Sequence, residues 1–267
     1  MPTPVIIPKE NPERPQDLCL MHDLFMHVCF QHDPDCVRLV LRVILGLKLR
    51  VLDVSLQASL KSLEGRFVVM DVLAVDEENR CYNIEVQTDP ADADPRRPRY
   101  YLSVIDSLVL RKGAPFSQLP EAFSIFLVAG DPFGAGKPIY VFTRRTEDGL
   151  PLGDGTTIVY VNVLNQDLST ELGRLAHDFC CSEPDDMFFP ELREVTRHFK
   201  ETPDGGHRMG SMIEALQKKG EQEANRSTVA RMLGLGMSLE IIAQCVGLPL
   251  DEVRHMAEQL RAAERGA

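Results

Sequence analysis

Two β-rich runs on either side of a short charged segment constrain this chain more than any other feature. The runs are residues 66–75 and 81–87, and the segment DEENR, residues 76–80, separates them. Apolar and β-branched residues that flank a short polar segment are typical of a β-hairpin. If the turn is centred on Glu78, Asp71 lies opposite Glu85, and facing residues of an antiparallel pair point to the same side. The pattern therefore predicts two neighbouring carboxylates in an apolar hairpin.

Two carboxylates at that separation repel each other unless a proton or a cation lies between them. A hard divalent cation suits oxygen ligands, and Mg²⁺ typically uses one or two carboxylates and keeps several waters. Asp71 is flanked on both sides by apolar residues, and a carboxylate in such a strand needs a partner. The spacing alone leaves two interpretations open, a metal site or acids exposed on an ordinary hairpin. Three further acids are expected to form a solvated tip: Asp76, Glu77 and Glu78.

An Asp in one strand, followed by Glu-x-Gln in the next, resembles the variant core of the PD-(D/E)xK nuclease superfamily. Other pieces of the chain resemble the Rpn/YhgA-like branch, which comprises recombination-promoting nucleases and transposase-like proteins. The resemblance covers roughly residues 18–163 and a short C-terminal pattern. Its pieces follow in family order: MHDLFMHVCF (21–30), ILGL (44–47), MDVLAVDEENRCYNIEVQ (70–87), PRYYLSVIDSLVLRKGAPFSQL (98–119) and FSIFLVAG (123–130).

The resemblance implies an α/β fold with a restriction-endonuclease-like PD-(D/E)xK core, a mixed sheet flanked by helices, and an α-helical C-terminal extension. It implies that Asp71 and Glu85 hold Mg²⁺ or Mn²⁺, with the Val86 carbonyl as a further ligand. Asp23 is the acidic residue that an N-terminal helix would add to the site. Its alternative role is that of a first-turn Asp favoured by the helix dipole. Gln87 stands where the superfamily pattern has lysine, so it can orient the attacking water but adds no positive charge.

Next to this predicted site, residues 96–112 form a predicted helix that is the most basic local element of the chain. Phosphate contacts would fall here, and the alternative is that these residues form surface pairs with the chain's excess of acids. The net charge of −11 argues against DNA binding through the overall field, so that binding would need a local basic patch. The predicted DNA-binding residues are Arg96, Arg97, Arg99, Arg111 and Lys112.

Periodicity and turn residues divide the chain into four predicted parts. They are a flexible leader (1–16), the nuclease-like domain (17–165), a helical extension (166–206) and a C-terminal helical tail (207–267). Helices are predicted over 17–30 and from Asp33–Pro34 to before Gly46, and a break is predicted at Thr202–Gly206. Strands are predicted over 47–60, 123–129, 139–143 and 157–163, and later helices over 168–181, 190–200, 238–246 and 250–261.

The tail resembles a helix-turn-helix, with Ser238 as the cap of a short helix and Gly247 in the following turn. Its last helix carries Asp251, Glu252 and Glu258, whereas a DNA-reading helix presents more basic and amide side chains. We favour a packing or homo-oligomerisation unit over a DNA reader.

The cysteine content and the apolar runs indicate the cellular compartment that we expect for this chain. The chain has seven cysteines with no C-x-x-C pair, which is typical of free thiols in a reducing cytoplasm. No apolar run approaches the length of a membrane span, so we expect a cytoplasmic protein without a membrane segment. Two functions remain open. The first is a Mg²⁺-dependent DNA endonuclease linked to recombination or mobile elements. The second is a catalytically weak or inactive nuclease fold that serves as a protein- or DNA-binding regulatory module.

Overall fold

The computed structural model describes residues 5–8, 15–49, 51–61 and 67–265. The chain divides into two compact units, Met1–Leu60 with Val68–Gly210 and Lys61–Phe67 with Ser211–Ala267. Most of the predicted leader, residues 1–16, lies outside the described residues. Within it, Ile6 exchanges two hydrogen bonds with the side chain of Gln166, at 2.9 and 2.8 Å.

A mixed six-stranded sheet flanked by helices forms the first unit, as the sequence predicted. The strand order is β1-β2-β3-β4-β6-β5; β2 pairs antiparallel with β3, β3 and β4 are parallel, β4 and β6 are parallel, and β5 is antiparallel to β6. The elements in chain order are α1 (Asp23–His32), α2 (Asp35–Leu45), β1 (Val51–Lys61), β2 (Phe67–Asp76), β3 (Cys81–Gln87), α3 (Arg96–Val109), β4 (Ala122–Val128), β5 (Ile139–Phe142), β6 (Thr156–Asn162), α4 (Glu171–Cys180) and α5 (Pro190–Glu201).

The predicted hairpin register is confirmed. The described pairs of β2 and β3 run from Val72 opposite Ile84 to Val75 opposite Cys81, and the same register places Asp71 opposite Glu85. Because side chains alternate along a strand, a slip of one residue would have moved Asp71 to the other face.

The hairpin tip departs from the prediction at Asp76, which is fully buried, whereas Glu77 and Glu78 are exposed. The Asp76 carboxylate accepts hydrogen bonds from the Arg80 side chain at 2.7 Å and from the Tyr82 hydroxyl at 2.8 Å. It also accepts from the backbone N–H groups of Glu78 and Arg80, each at 2.9 Å. Burial alone raises the pKa of Asp76, but these hydrogen bonds bring that pKa below its ordinary value. Asp76 therefore fixes the turn from inside.

Helix α3 packs across β4 and β6 on one face of the sheet. Its inward residues include Tyr101 and Ile105, which join Phe126 of β4 and Tyr160 of β6 in an apolar cluster. The Phe126 ring lies 6.2 Å from the Tyr101 ring and 5.4 Å from the Tyr160 ring. Burial of an aromatic side chain of this size contributes roughly 1.5–3 kcal/mol, so the cluster anchors the start of α3 over the carboxyl end of β3.

Lys200 near the end of α5 holds the chain that leads into α1. Its ammonium group donates to the carbonyl oxygens of Gln16 at 2.9 Å, Leu18 at 2.5 Å and Ser182 at 2.5 Å. The Met21 N–H donates to the Phe179 carbonyl at 3.1 Å beside it. One half-buried cation thus joins Leu18 and Ser182, which are more than 160 positions apart in the sequence.

Several predicted boundaries are wrong. The first helix begins at Asp23 rather than at residue 17, because Cys19–His22 form a turn in which the Cys19 N–H donates to His22 Nδ1 at 2.9 Å. The strand predicted from residue 47 begins at Val51. The predicted break at Thr202–Gly206 is confined to extended Thr202 between α5 and helix α6 (Pro203–Gly234), where the Thr202 hydroxyl accepts from the Gly205 N–H. Helix α3 ends at Val109, so residues 111 and 112 lie beyond it.

The second unit contains the C-terminal part of α6, together with α7 (Leu239–Val246) and α8 (Leu250–Arg265). Val229, Ile242 and Val253 form its buried core. The Ser238 hydroxyl caps α7 by accepting from the Ile241 N–H, and Gly247 ends the helix at φ 69°, as predicted. In the part of the chain that is described, no helix has the length and apolar character needed to cross a membrane.

Candidate active site

A cleft of about 340 Å³ opens at the carboxyl end of β3, between the start of α1 and the start of α3. It contains four of the residues predicted from the sequence as catalytic or metal-binding, namely Asp23, Asp71, Val86 and Gln87. The other lining residues are Met21, His22, Thr88 and Arg97. Glu85 does not line this cleft, because its side chain is fully buried beneath it.

Asp71 and Glu85 are joined across the hairpin by reciprocal hydrogen bonds. The Asp71 N–H donates to Glu85 Oε1 at 3.1 Å, and the Val86 N–H donates to Asp71 Oδ2 at 3.1 Å. Each carboxylate therefore accepts a backbone N–H from the strand opposite its own. The two side chains lie on the same face, as the register predicted.

Burial raises the pKa of Asp71 to about 7, and the Val86 N–H and Arg97 oppose that rise while Asp23 adds to it. Burial likewise raises the pKa of Glu85 well above its ordinary value, and the negative charge of Asp71 raises it further. The causes are low solvation and like charge, the two conditions that a bound proton or a bound cation relieves. The site is therefore short of positive charge.

Among the described residues that line the cleft, Arg97 supplies the guanidinium. Its Nη2 lies 3.1 Å from Glu85 Oε2, and its Nε donates to the Tyr101 hydroxyl at 2.7 Å. Its guanidinium carbon lies 5.4 Å from the centre of the Tyr101 ring and 5.8 Å from that of Phe126. These contacts turn the Arg97 side chain toward the interior, so its positive charge lies next to Glu85 rather than at the protein surface.

Asp23 occupies the first turn of α1, where its carboxylate accepts from the Leu24 N–H and faces the cleft. One turn later on the same helix, buried His27 donates through Nε2 to the Asp71 carbonyl at 2.5 Å, since a carbonyl oxygen can only accept. Burial lowers the pKa of His27. Its Nδ1 has no hydrogen-bond partner among the described residues, consistent with a neutral ring protonated at Nε2. His27 thus fixes α1 against β2 and brings Asp23 next to Asp71.

Gln87 lies at the end of β3 with its side chain partly exposed in the cleft. Within the described parts of the chain its amide group makes no hydrogen bond to a side chain or to the backbone. Both its carbonyl oxygen and its NH₂ group are therefore free to bind water or a substrate oxygen.

The five predicted DNA-binding residues do not form one surface beside the cleft. Arg97 alone lines it. Arg96 is 81% exposed and pairs with Asp94, and Arg99 is exposed as well. Arg111 and Lys112 follow the far end of α3, whose 14 residues span about 21 Å. Of the five residues predicted to line the site, Arg97 in the first turn of α3 is therefore the one that lies at the cleft.

The oxygen donors at the cleft are the carboxylates of Asp23 and Asp71, the Val86 carbonyl and the Gln87 amide, beside the His22 ring and the Met21 thioether. The oxygen donors suit Mg²⁺ or Mn²⁺. Among the residues that the structure describes, no group of three or more His, Cys, Asp or Glu side chains is arranged to hold a metal ion. A divalent ion would thus keep several waters here, as Mg²⁺ commonly does.

No protein-family model, curated protein or solved structure matches this chain. The fold and the site define an α/β protein with two neighbouring carboxylates, half-buried Asp71 and fully buried Glu85, near the carboxyl end of β3. Sequence reasoning missed two residues that support the pair, His27 and Tyr101. The i, i+4 spacing of Asp23 and His27 would have indicated a shared helix face, and so would that of Arg97 and Tyr101.

Proposed function

We propose that this chain is a Mg²⁺-dependent DNA endonuclease of the PD-(D/E)xK type. The observation that carries the proposal is the pair of half-buried Asp71 and fully buried Glu85, which sets two acids against one guanidinium at an open cleft that Asp71 lines. The mixed sheet and the sequence resemblance support the same assignment. The link to recombination or mobile elements follows from the resemblance alone.

The residues of the site fit a divalent ion. Asp71 and Asp23 face the cleft and would bind it directly, with Glu85 behind them and the Val86 carbonyl as a further oxygen donor. When bound, Mg²⁺ lowers the pKa of a coordinated water and stabilises charge on the phosphorus oxygens. Gln87 would hydrogen-bond the attacking water, and Arg97 is the side chain in the cleft that adds positive charge toward a phosphate.

Plasmid cleavage tests the proposal. Supercoiled DNA is incubated with Mg²⁺ or Mn²⁺ and wild type, Asp71→Asn or Glu85→Gln, substitutions that keep shape and remove charge. We expect nicking by wild type and a loss of at least 100-fold in both variants. Asp53→Asn, which removes an exposed carboxylate of β1, is the matched control and should cut like wild type. Equal cutting by all four proteins would mean a contaminating nuclease or a different site.

A second function is favoured by one observation. Both oxygens of Glu85 already have protein partners, Asp71 and Arg97, and Gln87 brings no charge to the cleft. That arrangement suits a catalytically weak or inactive fold that binds protein or DNA in a regulatory role. No cutting by wild type with either metal would favour this second function, and a partner search with residues 211–267 would then follow.

A further inference from the structure

Arg97 differs from the other basic residues of α3 because its guanidinium pairs with a buried carboxylate, that of Glu85. It is the one Lys or Arg among the residues that line the cleft, and it reaches Glu85 Oε2 at 3.1 Å. Its Nε is held at 2.7 Å by the Tyr101 hydroxyl, and its Nη1 donates weakly to the Asp92 carbonyl at 3.4 Å. The tie to Tyr101 does not involve Glu85, so the guanidinium can remain hinged there while its outer nitrogens change partner.

Both carboxylate oxygens of Glu85 have a protein partner in this arrangement. Oε1 accepts from the Asp71 N–H and Oε2 accepts from Arg97, and the side chain is fully buried. Arg97 reaches Oε2 from the side of the cleft that it lines, so a divalent ion that approaches Glu85 from the cleft meets the guanidinium at that oxygen. Two cations cannot occupy one carboxylate oxygen in a buried site without strong repulsion.

We propose that Arg97 is an internal counter-ion which a divalent cation replaces at Glu85, and that the released guanidinium then binds the DNA phosphate in the cleft. This inference rests on the proposed nuclease function. It explains how a site with neutral Gln87 obtains positive charge next to the substrate. Arg97 therefore acts first as a positioning residue for Glu85 and then as a phosphate ligand.

The exchange predicts that metal affinity and cleavage respond oppositely to the loss of Arg97. In Arg97→Gln no cation competes for Glu85, so Mn²⁺ measured by calorimetry should bind about tenfold more tightly than to wild type. Plasmid cleavage should fall at least 100-fold, because the phosphate ligand is gone. Arg97→Lys should lie between the two in both measurements. Arg96→Gln removes the same charge from the same helix turn at an exposed position, and its Mn²⁺ affinity should stay within about twofold of wild type.

Weaker or unchanged Mn²⁺ binding by a folded Arg97→Gln protein would overturn the exchange, because the loss of a cation that competes for Glu85 must tighten metal binding. The thermal midpoint without metal shows whether the variant is folded; if it is not, Arg97→Lys carries the same comparison. Tighter Mn²⁺ binding in a protein whose wild type cuts nothing would support the exchange at Glu85 and refute the nuclease function. Tighter binding with full cleavage would refute the phosphate role.

Discussion

Asp71→Asn should stabilise the metal-free protein, although it replaces a half-buried residue of the sheet. The folded-state pKa of Asp71 is about 7, against 3.8 for an unperturbed Asp. Ionised Asp71 therefore favours the unfolded chain, and its stability contribution is fully present only below pH 3.8 and is lost as the pH rises through 7. The asparagine keeps a carbonyl oxygen for the Val86 N–H and removes the charge.

The magnitude follows from the shift in pKa. At 1.36 kcal/mol per unit, the raised pKa costs roughly 1.7 kcal/mol at pH 5 and roughly 4 kcal/mol at pH 8. Desolvation of the new amide offsets about 1–2 kcal/mol of this gain. We expect Asp71→Asn to be near neutral at pH 5 and about 2–3 kcal/mol more stable than wild type at pH 8.

Urea unfolding in EDTA at pH 5 and pH 8 measures both values. Asp76→Asn, on the same strand, is the matched control. It should destabilise the protein rather than stabilise it, because Asp76 is a buried carboxylate whose hydrogen bonds lower its pKa. It should cost about 1–3 kcal/mol at both pH 5 and pH 8, because the stability given by a lowered pKa is lost only as the pH falls below 3.8. Addition of Mg²⁺ should stabilise wild type and not Asp71→Asn. A destabilising Asp71→Asn with the same effect at both pH values would refute the charge argument.

Three further outcomes follow from the structure. Mn²⁺ affinity, measured by calorimetry, should rise about tenfold or more per pH unit below pH 7, because the ion displaces the protons that the raised pKa values of Asp71 and Glu85 retain; a flat profile would contradict this. Lys200→Met should cost about 2–3 kcal/mol in urea unfolding, since three carbonyl groups lose a charged donor, and a neutral result would mean that water replaces it. Gly173→Ala should cost about 1–3 kcal/mol because the new Cβ would lie 2.0 Å from the Asp167 carbonyl oxygen, whereas Gly234→Ala meets no atom within 4 Å and should be neutral or slightly stabilising.

The hairpin register could be predicted because it depends on local information. A polar tip between two apolar runs fixes the centre of the turn, and strand alternation then fixes the side of every residue. Asp71 and Glu85 were therefore placed correctly opposite each other. The cap of α7 at Ser238 was predicted for the same reason, since capping involves residues three positions apart.

What the sequence could not show is which of several similar residues turns inward. Arg96, Arg97 and Arg99 look alike in the sequence, and only Arg97 has Glu85 and Tyr101 within reach. The sequence predicts that Glu85 shares a face and a metal ion with Asp71, but it does not show that Glu85 lies below the cleft. The depth of a side chain below a surface depends on elements distant in sequence. Asp76 was misplaced at the solvated tip because its partner Tyr82 lies on the next strand.

The clamp made by Lys200 has a consequence for the order of events during synthesis. Lys200 holds the segment that leads into α1 and Asp23. It donates to the carbonyl oxygen of Leu18 in that segment and to the carbonyl oxygen of Ser182, which follows α4. During translation the hairpin with Asp71 and Glu85 leaves the ribosome long before Lys200 does. The nascent chain therefore carries its acidic pair for several seconds before Lys200 can hold the segment that precedes α1. A chain that ends before α5 would keep the His27 contact to Asp71 but lack the Lys200 contacts to Gln16 and Leu18.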